Sequence, residues 1–198
     1  MNHQSEPKDQ VGPLMQENHE RAALAAHRFG YGARPGDLEK ILPDPEKWLL
    51  DQLVIPRHSI TQPSSGELMR ALYDFSKARK DAKKSMAEMP KNPARRFYIE
   101  QSAATVLEAI NSQTSLSWRL LDFFSNHFSV SAQGNRMRML APTLEREAIA
   151  PHMLGHFEDM LLAVEQHPAM LIYLDNERSI GPNSRAGKRS KRGLNEGS

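Results

Sequence analysis

Residues 115–128 read Ser-Leu-Ser-Trp-Arg-Leu-Leu-Asp-Phe-Phe-Ser-Asn-His-Phe. Leu116, Trp118, Leu120, Leu121, Phe123, Phe124 and Phe128 spread around most of a helical circumference. A helix that is apolar nearly all round belongs inside a core, so this segment is predicted to be the central helix of the fold.

Outward from it, the periodic segments read as helix. Ala22–Ala26 and Phe29 give a helix over 18–29 that stops at Gly30. Tyr31–Gly36 is a turn with two glycines available for positive φ. A short helix follows over 37–42. Asp44-Pro45 caps another over 45–53, with Trp48, Leu49 and Leu53 on its apolar side. The longest helix is predicted over 64–89, where Leu68, Leu72, Phe75, Arg79, Ala82, Met86 and Met89 alternate spacings of four and three. Asn92-Pro93 turns the chain, and a helix to about 110 completes an expected antiparallel hairpin. Ser129–Asn135 reads as a polar loop. Thr143 is expected to cap a helix ending near Ala150, ahead of the bend at Pro151. Helix resumes over 155–166, and Pro168 opens a further turn or two through Leu174.

The fold class is therefore all-α: an irregular multi-helix bundle with a long helical hairpin and a disordered basic C-terminal tail. Residues 1–17 are expected to be a disordered arm, 18–176 the helical domain and 177–198 the tail. No strand-like alternation and no internal repeat is present.

Composition narrows the function classes. The 198 residues are 39% hydrophobic and 25% charged, with a net charge of +2. That charge is too small to argue for nucleic acid, and no specific nucleic-acid binding is expected. There is no cysteine, which removes disulfides, thiolate nucleophiles and iron–sulfur sites. The first twenty residues contain no apolar stretch resembling a secretory signal, and no run is long enough to span a membrane. The expectation is a soluble cytoplasmic protein. Gly-x-Ser-x-Gly, P-loop and dinucleotide-binding motifs are missing, and Gly30-Tyr31-Gly32 follows a helix and not a strand.

Six blocks occur in order: His27–Gly32, Trp48-Leu49, Asn126–Val130, His167–Asn176, Ser179–Ser184 and Gly193–Glu196. Together they closely resemble the N-terminal portion of the bacterial domain of unknown function 1800 family. The resemblance implies a mostly helical protein without an established reaction. Relatives are longer, and many look exported. They are often encoded beside a second family that resembles alkaline-phosphatase-type hydrolases, which implies a partner protein from a neighbouring gene. The family pattern continues Asn-Tyr-Ala-Arg-Glu-Leu-Leu-Glu-Leu-His where this sequence has Gly197-Ser198, so truncation is expected.

Three sets of side chains are candidates for chemistry. His127, His167, Asp175, Asn195 and Glu196 lie in the signature blocks and are of types that ligate a divalent metal, although capping or buried hydrogen bonding is the stronger explanation for each. A metal is thus a cofactor expectation for full-length relatives only. His152 and His156 have the spacing of two-histidine zinc motifs, but Met153 replaces the glutamate base and Gly155 weakens the helix between them. Arg185, Lys188, Arg189, Lys191 and Arg192 make an anion-attracting tail, while Lys77, Arg79, Lys80, Lys83 and Lys84 read as a solvated helix face. The functional expectation is a binding or scaffold module acting with a partner protein. The alternative is an inactive fragment of a metal-assisted hydrolase-like enzyme.

Overall fold

A computed structural model describes residues 11–58, 61–181 and 183–190. Among them the regular structure is entirely helical, as the periodicity requires. No helix is long and apolar enough to cross a membrane among the described residues. The chain forms two compact units, residues 1–56 with 109–120 and residues 57–108 with 121–198.

The first unit contains α1 (Val11–Phe29), α2 (Asp37–Ile41) and α3 (Pro45–Asp51). Helix α1 starts well ahead of position 18, inside the segment expected to be an unstructured arm; residues 1–10 lie outside the described residues. Ala22, Ala25 and Ala26 bring α1 close to Ile41 of α2, with Trp48 and Leu49 of α3 packed against the cluster. The turn between α1 and α2 uses its glycines as expected, with φ of 100° at Gly32 and 82° at Gly36. Gly30 is needed for another reason. A Cβ there would lie 2.7 Å from both the Ala26 carbonyl and the Ser115 hydroxyl, closer than atoms pack. Asp44 caps α3 by accepting from the Lys47 amide at 2.9 Å.

The second unit contains α4 (Ser65–Ser85), α7 (Gly134–Leu144), α8 (Phe157–Gln166), α9 (Pro168–Tyr173) and α10 (Arg185–Ser190). Helices α5 (Ala94–Asn111) and α6 (Ser115–His127) run across the division. The hub of this unit is α7, which packs on α4 and α9 and continues directly into a π-helical turn over Glu145–Ile149 that packs on α8. Met137, Met139, Leu140, Thr143, Leu144, Ala148 and Ile149 are all buried.

Three expectations are corrected here. First, α6 is not the central helix: Trp118 and Leu121 are buried, but Phe123 is 63% exposed. Arg119, Asp122, Ser125 and Asn126 supply enough polar surface to leave one side open. Second, the seam of α4 is buried only at Leu68 and Leu72, and its main partner is α7. Ala94 at the start of α5 joins Leu68 and Met139, so the connection 86–93 returns along α4 before α5 begins. Third, Thr143 does not start a helix. It lies within α7, fully buried, its hydroxyl donating to the Leu140 carbonyl at 2.7 Å. The segment read as tail carries a 3-10 turn at Asn176–Arg178 and helix α10, and residues 191–198 lie outside the described residues.

Candidate functional site

The π-helical turn concentrates the polar chemistry of the second unit. Pro142, inside α7, has no N–H to donate to the preceding turn, and three residues later the ladder widens until the Ala150 amide reaches the Glu145 carbonyl at 2.8 Å. Glu145, Arg146 and Glu147 leave this turn in three directions.

Glu147 accepts from the Ser65 amide at 2.8 Å through Oε1 and meets His167 Nε2 at 3.1 Å through Oε2. Burial pushes its carboxyl up, but the hydrogen bonds from His167 and Ser65 outweigh this and hold it below the usual value. Arg146 donates to the Pro63 carbonyl and, at 2.5 Å, to the Gln101 side chain. Its guanidinium also lies 3.7 Å from Glu147, and burial lowers its pKa. Glu145 accepts from the Ser125 hydroxyl at 3.1 Å. Burial raises its carboxyl pKa; Ser125 opposes the shift and the nearby Asp122 adds to it.

Glu145 lines a cleft of about 410 Å³. Its walls come from α5 through Tyr98, Ser102, Thr105 and Val106, and from α6 and the following loop through Asp122, Ser125, Asn126 and Ser129. A carboxyl held toward its neutral form among hydroxyls and an amide can both donate and accept hydrogen bonds. A second cavity, of about 260 Å³, lies within the first unit beside Tyr31, Gly32 and Trp48. There Arg34 donates to the carbonyls of Ile110 and Ser112, and its own amide donates to Asp37.

The side chains singled out from the sequence are not gathered at either cavity. His167 is buried and caps α9, its Nδ1 accepting from the Ala169 amide at 3.2 Å. An accepting Nδ1 leaves the proton on Nε2, which donates to Glu147, so both ring nitrogens are engaged. His127 is exposed at the end of α6, its ring 4.7 Å from that of Phe128 and 6.4 Å from that of Phe157. Asp175 is exposed, adopts a left-handed φ of 54° and pairs with Arg178 at 3.7 Å. Among the described residues no three His, Cys, Asp or Glu side chains are placed to hold a metal ion. Asn195, Glu196, Lys191 and Arg192 lie outside the described residues. His152 and His156 do not share a helix face: His152 lies in a turn, and His156 is the extended N-cap of α8. Arg185, Lys188 and Arg189 are exposed on α10, at spacings that place them on one side.

Glu145, Arg146 and Glu147 carry no motif, which is why sequence reading passed over them. The available signal is their setting, three consecutive charges between apolar Leu140–Leu144 and Ala148–Ala150. A run of charge inside an otherwise apolar helix has to be paired or functional.

No curated protein and no solved structure matches this chain. The model of one family matches residues 24–196. That span holds the cleft, the π-helical turn and the signature blocks, and on it the chain belongs to the family described as protein of unknown function (DUF1800).

Proposed function

We propose that this chain is a binding module that works by docking a helical, apolar face of a partner protein onto α5. The observation that carries this reading is the open side of α5. Ile99, Ala103, Val106 and Leu107 fall on one face, and Ile99, Val106 and Leu107 are each more than half exposed. The opposite face is already occupied, with Ala94 and Gln101 buried. Apolar residues thus lie on two sides of α5, with Ala94 and Phe97 on the packed side and Ile99, Val106 and Leu107 on the open one. The spacings of four and three from Ile99 through Ala103 to Val106 suit the ridges of another helix. The polar candidates, by contrast, are spent on internal hydrogen bonds, as His167 and Arg146 show.

The test places a photo-crosslinking residue at Leu107 in the native host, identifies the adduct by mass spectrometry and reassembles the purified pair. A single adduct is expected, and Ile99→Glu with Leu107→Glu should weaken the reassembled pair at least about tenfold while the melting temperature stays unchanged. Neither substitution touches the Glu145 cleft. An adduct-free chain, or a pair indifferent to both glutamates, would overturn the proposal.

A further inference from the structure

The basic run on α4 is exposed, as a solvated face is expected to be, but part of it also borders a cleft. Arg79, Lys80 and Lys83 line a cleft of about 620 Å³ together with Arg136 from the first turn of α7. Leu72, Phe75 and Met89 form its apolar part. Among the described residues no carboxylate lines it. Arg136 is tied from outside by Glu177, whose carboxyl accepts from both guanidinium nitrogens, one at 2.7 Å. Among the described residues no carboxylate forms an ion pair with Arg79, Lys80 or Lys83.

An ordinary charged helix face is patterned differently from the side of α4 at the cleft. Its cations alternate with acids three or four residues away, which offsets their repulsion. Here Arg79 and Lys83 are four apart and Lys80 and Lys83 three apart, so like charges are neighbours on one side of the helix. Arg136 lines the same cleft from a second helix, but Glu177 offsets its charge. The grouping of like charges on α4 raises the positive potential inside a concave surface, where low-dielectric walls focus it. The apolar residues are equally informative. Leu72 is buried and continues the seam, whereas Met89 is 47% exposed at the far wall. An inorganic anion would satisfy the charges and leave this apolar wall wet. A neutral lipid would cover the wall and leave the charges unmatched.

We infer that this cleft binds a single-chain anionic amphiphile, a carboxylate or phosphate monoester head on an alkyl chain. The head meets Arg79, Lys80 and Lys83, and the chain lies along Phe75 and Met89. The same chemistry is offered by a free amphiphile and by an anionic membrane lipid. This reading is independent of the partner face on α5, since none of these residues lies on that helix.

The test is calorimetric titration of the full chain with monomeric dodecyl phosphate and dodecanoate. Inorganic phosphate and dodecanol serve as controls, and sedimentation with phosphatidylcholine vesicles containing phosphatidylglycerol forms a separate arm. Two variants are compared, Lys80→Glu with Lys83→Glu for the charge and Phe75→Ser for the apolar wall. Both amphiphiles should bind, inorganic phosphate and dodecanol at least about tenfold more weakly, and each variant should lose about tenfold. Vesicle binding lost in both variants, without binding of the monomers, supports the same site with a lipid as its source. Circular dichroism melts show whether each variant is folded. If Phe75→Ser is not, Met89→Ser takes its place. Binding that survives both variants, phosphate binding as strong as that of the amphiphiles, or no binding in either arm overturns the proposal.

Discussion

At the scale of single residues, conformation and burial separate side chains that look alike in the sequence. Met86 ends α4 in the left-handed region with φ 54° and ψ 27°, and it is 96% exposed. A Cβ in that region costs roughly 1–2 kcal/mol, which glycine avoids, and an exposed methionine has no packing to lose. Met86→Gly should therefore raise the unfolding free energy by roughly 1 kcal/mol after glycine's extra unfolded-state entropy is counted. Urea denaturation would read this as a higher midpoint at unchanged slope, and a lower midpoint would refute it. His167 teaches the complementary lesson. Its place before Pro168 in the signature marked it as a ligand candidate, yet buried imidazole nitrogens are fully used by one amide and one carboxylate. Sequence reveals which residue is polar in an apolar setting. It does not reveal the carboxylate that satisfies it, because Glu147 lies 20 residues away in the chain.

At the scale of elements, helices with strong periodicity and end signals were legible. Examples are α3 behind its Asp44-Pro45 cap and α4, legible from its spacing, where the structure adds a capping box of Ser64 and Glu67. The central element was not. Helix α7 starts at Gly134, contains Arg136, Arg138 and Pro142, and so lacks the appearance of a core helix, although it is the hub of its unit. Its register is fixed instead by tertiary anchors such as Arg146, which reaches the Pro63 carbonyl and Gln101. The guanidinium side chain is only 14% exposed, and its planar fork serves two acceptors at once. Lysine would keep the charge and lose the fork. Arg146→Lys should cost roughly 2–3 kcal/mol, measured as a fall in unfolding free energy, because two buried acceptors lose a charge-assisted donor. A loss below about 0.5 kcal/mol, the range of ordinary surface changes, would show that the anchor is dispensable.

At the scale of the whole molecule, the balance of buried ionisable groups sets how stability responds to pH. His58 is lowered from 6.5, first by burial and then by Arg146. Its contribution is present above 6.5 and is lost as pH falls through the lower folded value. Glu147, also lowered, contributes above 4.5 and loses that contribution on acidification. Glu145 runs the other way. Its folded pKa lies above 4.5, so its contribution is complete below 4.5 and disappears as pH rises through the folded value. Glu145→Gln isolates the opposing group, since glutamine has the same shape and never ionises. The stability of this variant relative to wild type should rise with pH from about 4.5 and then level off, with a slope of at most about 1.4 kcal/mol per pH unit. In an Asp122→Asn background the same comparison should level off at a lower pH, because the neighbouring charge helps hold Glu145 in its neutral form. Urea denaturation of wild type, the two single variants and the double variant from about pH 4 to about pH 8 checks both statements, and that window covers the ionisation of a raised carboxyl. A difference between Glu145→Gln and wild type that stays flat across this window would mean that Glu145 titrates like a solvent-exposed carboxylate. Burial at the π-helical turn would then have no hold on it.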